Sequence, residues 1–347
     1  MLPHRRTIVA LAVAAASVAI PGWEALATTS SAELKRERLR YAFPANQLGA
    51  RTLRCAGYDG SRVTVGIIDT GIAARTPVLR GRLAGFRNFI EDRQGAFDDN
   101  GHGTAMAALV TSIAPGSRVL MARAGNARGH VDVRAAKRAM SWLRNPGNGR
   151  RRPDIVLMSF RIGREDVRMR RGIRKLQARG MAVVAAAGNS GPGPRTVTTP
   201  ADYPEVLSVG ATDAAGRVAS FSSRGPARRQ RGPNFRRQSR FVVKPDVMAP
   251  GVRLDVPPEA RRGGKATGTS HAAAVATGAL ALAADARPAL RGQRLVQLAR
   301  VTARDIGAKG RDPITGYGRL NVAAMMRLRD PAQRRCAARP LGVGLLG

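Results

Sequence analysis

The feature that most constrains this chain is a set of apolar segments, rich in β-branched residues, that each run into a short polar motif. Residues 63–68 read Val-Thr-Val-Gly-Ile-Ile and lead directly into Asp69. Residues 181–187 form a second run of this kind, which Gly188 and Asn189 follow. Continuous apolar runs of this length are typical of strands buried in a parallel sheet. Asp69 is therefore predicted to lie at the carboxyl end of a strand, where open α/β sheets place their sites.

Two helices are predicted to begin at polar motifs. A His-Gly-Thr motif at residues 102–104 opens a helical pattern after a turn-like stretch at residues 98–101. A Gly-Thr-Ser motif at residues 268–270 precedes residues 272–284, which are apolar nearly all round. A helix with no polar face is buried in a domain or spans a membrane, and this one is short for a span. We therefore predict a buried helix that begins near Ser270.

The residue types in these motifs are the ones that a serine hydrolase needs. Serine becomes nucleophilic when a base takes its proton, and a buried carboxylate orients that base. We interpret Ser270 as the nucleophile, His102 as the general base and Asp69 as the carboxylate. The amide of Asn189 and the backbone N–H of Ser270 are predicted to bind the oxyanion. Each motif alone is ordinary turn chemistry, so the interpretation depends on all four occurring together in this order.

Further segments make the chain resemble the subtilase family of serine proteases. The order Asp, His, Ser along the chain is the subtilisin order. The matching segments are residues 203–211 (YPEVLSVGA), 220–226 (SFSSRGP), 244–251 (KPDVMAPG) and 316–321 (GYGRLN). The resemblance implies a serine endopeptidase that acts on peptides or proteins. It also implies a subtilisin-like three-layer α/β fold, with helices on both sides of a mostly parallel central sheet.

The resemblance also implies where a substrate binds. An extended peptide is expected to pair with the segment formed by Ser159, Phe160 and Arg161. The S1 pocket is expected to lie between this segment and a second one, which contains Ala187 and Gly188. Arg161 stands where the family usually has glycine, and it either favours acidic substrates or turns into solvent. Thr198 occupies the base of S1, where glycine is frequent, so we predict a preference for small or medium P1 side chains.

No metal ion or other cofactor is predicted. Many subtilases carry a calcium loop after the histidine motif, but residues 106–122 are short and lack a cluster of oxygen ligands. The nearby carboxylates are expected to border the cleft; they are Glu91, Asp92, Asp98 and Asp99. His271 follows the nucleophile directly, and because adjacent helical residues point in different directions, we expect it to be a packing residue.

The N-terminus has the pattern of an export signal. Arg5 and Arg6 precede an apolar run at residues 8–20, and small residues lead to a predicted cleavage site after Ala27. We therefore predict a signal peptide at residues 1–27 and a periplasmic or extracellular protein. Sec export is the default, and twin-arginine export remains the alternative. The apolar run is too short for a typical membrane span, and no membrane span is predicted for the mature protein.

One catalytic domain with short extensions accounts for the length of 347 residues. We expect a short N-terminal arm at residues 28–43, the catalytic domain at 44–328 and a tail at 329–347. Cys55 and Cys336 either form one disulfide or remain independent thiols. The protein is expected to be a monomer.

The charge of the chain is extreme. Lysine and arginine number 59 against 23 acidic residues, which gives a formal net charge of +36. Such charge favours nonspecific binding to polyanions, which are nucleic acid, acidic polysaccharide or anionic membrane surfaces. No nucleic-acid-binding motif accompanies it. Arginine is concentrated at residues 227–243, which we interpret as a basic surface insertion.

Two hypotheses from other classes compete with the peptidase. One is an inactive peptide-binding protein that has kept the fold, and the other is a polyanion-binding protein. Arg161 in the substrate segment favours the first weakly, and the net charge of +36 favours the second. Four intact catalytic motifs favour the peptidase over both.

Overall fold

The computed structural model describes Leu48, Ala50 and residues 57–163, 166–228, 241–260 and 264–326. Several sequence predictions lie outside the described residues. These are the signal peptide, the N-terminal arm, the C-terminal tail, Cys55, Cys336 and the centre of the basic insertion.

A seven-stranded parallel sheet forms the centre of the molecule. In chain order the strands are β1 (Thr64–Asp69), β2 (Leu83–Asn88), β3 (Arg118–Arg123), β4 (Ile155–Met158), β5 (Ala182–Ala186), β6 (Leu207–Thr212), β7 (Ala227–Arg228), β8 (Phe241–Val242), β9 (Val247–Pro250), β10 (Leu254–Val256) and β11 (Gly264–Ala266). The central sheet has the order β2-β3-β1-β4-β5-β6-β9, and its neighbouring strands pair in parallel. The other strands form two small antiparallel pairs, β7–β8 and β10–β11.

Helices cover both faces of this sheet. They are α1 (His102–Ile113), α2 (Val133–Arg144), α3 (Val167–Gln177), α4 (Thr269–Ala286), α5 (Gln293–Val301) and α6 (Val322–Met326). Successive residues of β1 face opposite sides, since Ile67 joins the core under α1 and α4 and Ile68 joins the core under α2 and α3. The predicted three-layer α/β fold is therefore confirmed.

The predicted elements that carry the site lie close to their expected positions. The apolar run at residues 63–68 forms β1, which ends at Asp69, and the run at residues 181–187 contains β5. The apolar stretch at residues 272–284 lies within α4, and almost every residue of this helix is buried. Within the part of the chain that the structure describes, no helix is long and apolar enough to cross a membrane.

A buried ion pair fixes the segment that enters β9. Lys244 and Asp246 are fully buried, with Nζ 2.6 Å from Oδ2, and Lys244 also donates to the carbonyl of Val206. Burial lowers the pKa of Lys244. Burial raises the pKa of Asp246, but the charges of Lys244 and Arg300 outweigh it, so the pKa is lowered. Asp246 thus remains an anion that ties β9 to β6 through the N–H of Ser208.

The two ends of the predicted basic insertion pair with each other. Ala227 is opposite Val242 and Arg228 is opposite Phe241 in the β7–β8 ladder. Ala227 is buried and Phe241 on the paired strand is exposed, so the two strands join the insertion to the folded domain.

Candidate functional site

The site is built around a hydrogen bond between β1 and α1. Asp69 is the last residue of β1 and is 2% exposed, and His102 is the first residue of α1. Nδ1 of His102 lies 2.7 Å from Oδ1 of Asp69, which also accepts the N–H of Thr70. Because an ionised carboxylate only accepts hydrogen bonds, Nδ1 of His102 carries the proton. Its Nε2 is therefore left as a proton acceptor.

The same contact makes His102 a stronger base. Burial lowers the pKa of His102, but the charge and hydrogen bond of Asp69, with a further charge from Asp98, outweigh it, so the pKa is raised. The side chain remains 30% exposed, so a substrate can reach the ring. His102 is therefore accessible and basic.

Asp98 joins the two motifs that carry Asp69 and His102. Its Oδ1 accepts the Thr70 hydroxyl (2.9 Å), and that hydroxyl accepts the N–H of Gly103 (2.9 Å). Its Oδ2 accepts both the N–H and the hydroxyl of Thr104, at 2.8 and 2.6 Å. Asp98 thus fixes the start of α1 against the end of β1, a role that the sequence analysis missed.

The other predicted border carboxylates have different partners. Glu91 and Asp99 form ion pairs with Arg123, which is 1% exposed, at 3.1 and 3.0 Å. Among the described residues, no three His, Cys, Asp or Glu side chains gather in a way that could hold a metal ion.

Ser270 and Asn189 meet at the start of α4. Ser270 is the second residue of this helix, in the first turn, where backbone N–H groups lack intrahelical partners. Oδ1 of Asn189 accepts the N–H and the hydroxyl of Thr269, at 2.9 and 2.8 Å. Because these donors require the amide oxygen on their side, Nδ2 of Asn189 points away from Thr269. It faces the same side of Gly268 as Oγ of Ser270. The nucleophile and both oxyanion donors predicted from the sequence are therefore brought together.

The side chain of Ser270 contacts a histidine other than His102. Among the described residues, the hydrogen bond of Ser270 Oγ is to Nδ1 of His271, at 3.4 Å. The rings of His271 and His102 lie edge to face with centroids 5.9 Å apart. Catalytic hydrogen bonds are often loose before substrate binds. His271 is buried, as expected of a packing residue, but its ring nitrogen Nδ1 faces the hydroxyl of Ser270.

Of the first predicted substrate-binding segment, Ser159 contacts Ser270 directly. Ser159 follows β4, and its hydroxyl donates to the carbonyl of Ser270 at 3.3 Å. The ring of Phe160 is partly buried and packs against the core under α2 and α3. Arg161 is exposed.

The second wall of the predicted pocket is formed by the chain after β5. The N–H of Gly188 donates to the Thr269 hydroxyl at 3.1 Å. The N–H and the hydroxyl of Thr198 both donate to the carbonyl of Ala187, at 3.0 and 3.3 Å. A methyl group added at Gly188 would lie 2.9 Å from Oγ1 of Thr198, so these two residues are in close contact.

Comparisons with known proteins agree with this arrangement. Residues 60–318 match the family model described as the Subtilase family. Subtilisin DY of Bacillus licheniformis is 30% identical over 286 residues, which cover 79% of this chain and 94% of that protein. Serine protease AprX of Bacillus subtilis (strain 168) is 30% identical over 221 residues, 56% of this chain and 47% of AprX. Minor extracellular protease Epr of the same strain is 27% identical over 279 residues, 78% of this chain and 39% of Epr.

A parallel α/β sheet with this site at the carboxyl ends of its strands is typical of serine hydrolases, and it places the molecule in that class. The chain belongs to the subtilase family, since the family model matches most of its length. It is a subtilisin-like serine endopeptidase, and its substrates are peptides or proteins.

Proposed function

We propose that this endopeptidase works through Ser270 as nucleophile, His102 as general base and Asp69 as the group that orients His102. Asn189 Nδ2 and the Ser270 N–H supply the oxyanion hole. The observation that carries this proposal is the 2.7 Å hydrogen bond that Nδ1–H of His102 donates to Asp69, which leaves Nε2 as a proton acceptor on the ring that lies against His271 of α4. The catalytic domain is proposed to span residues 44–328.

The reaction begins with a rotation of the Ser270 side chain from His271 toward Nε2 of His102. Nε2 takes the hydroxyl proton while Oγ bonds to the scissile carbonyl carbon, and the carbonyl π electrons move to oxygen. The resulting oxyanion accepts hydrogen bonds from Asn189 and the Ser270 N–H. His102 then gives its proton to the leaving amine, and an acyl-enzyme remains. Water, activated by His102 in the same way, hydrolyses the acyl-enzyme.

This proposal is tested by comparing single and double variants. Ser270→Ala and His102→Ala should each lower kcat for a peptide substrate by about a millionfold, a size found for a subtilisin. Because the two groups act as a unit, the double variant should be no slower than either single variant. Multiplicative losses would show that the two residues act independently, and the proposed mechanism would then be wrong.

The substrate cleft is proposed to select small or medium P1 side chains. Thr198 contacts Gly188 at the expected floor of the pocket, where its side chain takes space that a glycine would leave open. Cleavage of a peptide library should therefore occur after small and medium residues. Preferred cleavage after Phe or Tyr would contradict this assignment. Thr198→Gly should broaden the preference toward those residues.

The protein is also proposed to be exported, to the periplasm or the outside of the cell. The N-terminal leader pattern at residues 1–27 supports this, and one relative carries the name minor extracellular protease. N-terminal sequencing of the mature protein should begin at Thr28. A mature chain that retains Met1 would overturn the proposal.

Polyanion binding is a second proposed function, and a groove between α2 and α3 favours it. The groove encloses about 250 Å³ and is walled by five cationic side chains, which are Lys137, Arg144, Arg168, Arg171 and Lys175. Among the described residues, Lys137 is the member of this set that has an ion-pair partner, Asp166. Guanidinium groups bind sulfate and phosphate oxygens through two parallel hydrogen bonds. Among the described residues no aromatic side chain lines the groove, so acidic polysaccharide fits it better than nucleic acid, whose bases stack on aromatic rings.

Heparin serves as the probe for this groove. An Arg168→Glu/Arg171→Glu variant should elute from a heparin column at clearly lower salt than the wild type. The matched control is Arg80→Glu/Arg294→Glu, which changes the net charge equally at exposed residues elsewhere. Equal shifts for the two variants would mean that the whole-molecule charge binds heparin and that the groove has no special role.

A further inference from the structure

His271 is placed where a hydrogen-bond donor would help the reaction. It is the third residue of α4 and is 8% exposed. Its Nδ1 lies 3.4 Å from Oγ of Ser270, the atom that attacks the substrate. The ring therefore borders the place where the tetrahedral intermediate forms.

Three polar atoms face one small space beside Ser270, on the side where Gly268 carries no side chain. A methyl group added at Gly268 would lie 3.3 Å from Nδ1 of His271, from Nδ2 of Asn189 and from Oγ of Ser270. The absence of a side chain at Gly268 keeps this volume free. Nδ1 of His271 and the amide of Asn189 thus face the same space from two sides.

His271 is neutral in this environment. Burial, with a smaller contribution from the nearby His102, lowers the pKa of His271 to about 3. A neutral imidazole carries one N–H. The positive end of α4 favours negative charge at this position, and neutral histidines at helix N-termini can act as electrophiles toward developing negative charge. An anion next to Nδ1 therefore favours the tautomer that carries the proton on Nδ1.

We propose that His271 is a third oxyanion donor, whose Nδ1–H hydrogen-bonds to the tetrahedral oxyanion beside Asn189 and the Ser270 N–H. In the free enzyme the same N–H donates to Oγ of Ser270, which leaves the hydroxyl proton free to pass to His102. His271 keeps its own proton throughout, so the proton balance between Ser270, His102 and the leaving amine is unchanged. This inference replaces the packing role expected from the sequence, and it rests on Ser270 being the nucleophile as proposed above.

Two substitutions separate a donor from a packing residue. His271→Leu has a similar volume and no donor. His271→Asn carries an amide N–H bonded to Cγ, as Nδ1 is in histidine. We expect His271→Leu to lower kcat by about 100-fold, at the low end for loss of one oxyanion donor, with KM nearly unchanged. His271→Asn should recover at least about tenfold of that loss.

A second measurement does not depend on how much of a variant is folded. A peptide aldehyde forms a tetrahedral adduct with the active serine, whereas the matching peptide alcohol binds without one. The inhibition constant of the alcohol divided by that of the aldehyde should fall in His271→Leu in parallel with kcat, because only the aldehyde adduct contains the oxyanion. An unchanged ratio, or equal kcat for the Leu and Asn variants, would overturn the role of His271. Failure of the underlying mechanism is distinguishable, because the Ser270→Ala variant would then retain the activity of the wild type.

Discussion

At the scale of single residues, one carboxylate controls both the tautomer and the basicity of His102, the proposed general base. Asp69 is buried and accepts Nδ1–H of His102, so turning the ring would cost this buried carboxylate one of its hydrogen bonds. Its charge is also the main influence that raises the pKa of His102 against burial. A substitution that keeps the shape of Asp69 but removes its charge should therefore affect rate and pH dependence together.

Asp69→Asn should lower kcat by about 10,000-fold, because the wrong tautomer of His102 is favoured. His102 must be neutral to act as a base, so activity is lost as the pH falls through its pKa, which lies above the ordinary 6.5 in the wild type. Without the carboxylate charge that pKa drops, and the residual activity should persist to lower pH. The measurement is kcat/KM against pH, with Asp255→Asn on the surface as control. If kcat/KM of Asp69→Asn falls at the same acidic pH as that of the wild type, this account is contradicted.

At the scale of elements, the site depends on close packing between α1 and α4, since one helix begins at His102 and the other carries Ser270. Gly278 lies at their contact. A methyl group there would lie 2.6 Å from Cβ of Ile113 and 2.8 Å from the carbonyl oxygen of Val110. Both atoms belong to or adjoin the helix backbone and cannot move independently of α1.

Gly278→Ala should therefore destabilise the protein. Overpacking costs about 1–3 kcal/mol, and replacing a helical glycine by alanine gains about 1 kcal/mol. Because the contacted atoms of α1 cannot yield, we expect a cost at the upper end of this range and a net loss of about 1–2 kcal/mol. The matched control is Gly172→Ala in α3, where the nearest atom is the flexible end of Met140. That variant should be as stable as the wild type or more stable. The measurement is the free energy of unfolding of both variants in urea. Equal values for the two would contradict the packing argument.

The elements that carry the site could be predicted because their signals are local. The strand that ends at Asp69, the helix that starts at His102 and the buried helix after Ser270 each follow from a run of apolar residues and a polar boundary. The role of Asp98 could not be predicted, because its partner Thr70 precedes it by 28 residues and only the fold brings the two together.

The contact of His271 illustrates the same limit. Its position next to Ser270 was visible in the sequence, but adjacent helical residues normally point apart. The direction of its ring depends on the burial of α4 and on the neighbouring ring of His102, which are tertiary features.

At the scale of the whole molecule, a net charge of +36 favours the attraction of acidic substrates. Arg161, in the segment proposed to bind the substrate, is exposed and carries part of this charge. We expect kcat/KM for an acidic peptide to exceed that for its Gln-substituted counterpart at low salt. The advantage should shrink as salt is raised, because screening shortens the range of the potential. A ratio that is independent of salt would contradict this expectation.

The most direct test of the account is labelling with a fluorophosphonate, which reacts with activated serines. The wild type should gain one adduct by intact mass, peptide mapping should place it on Ser270, and Ser270→Ala should gain none. His102→Ala should label far more slowly, since activation of Ser270 depends on that base. An adduct on another serine, or equal labelling of wild type and Ser270→Ala, would contradict the proposed mechanism.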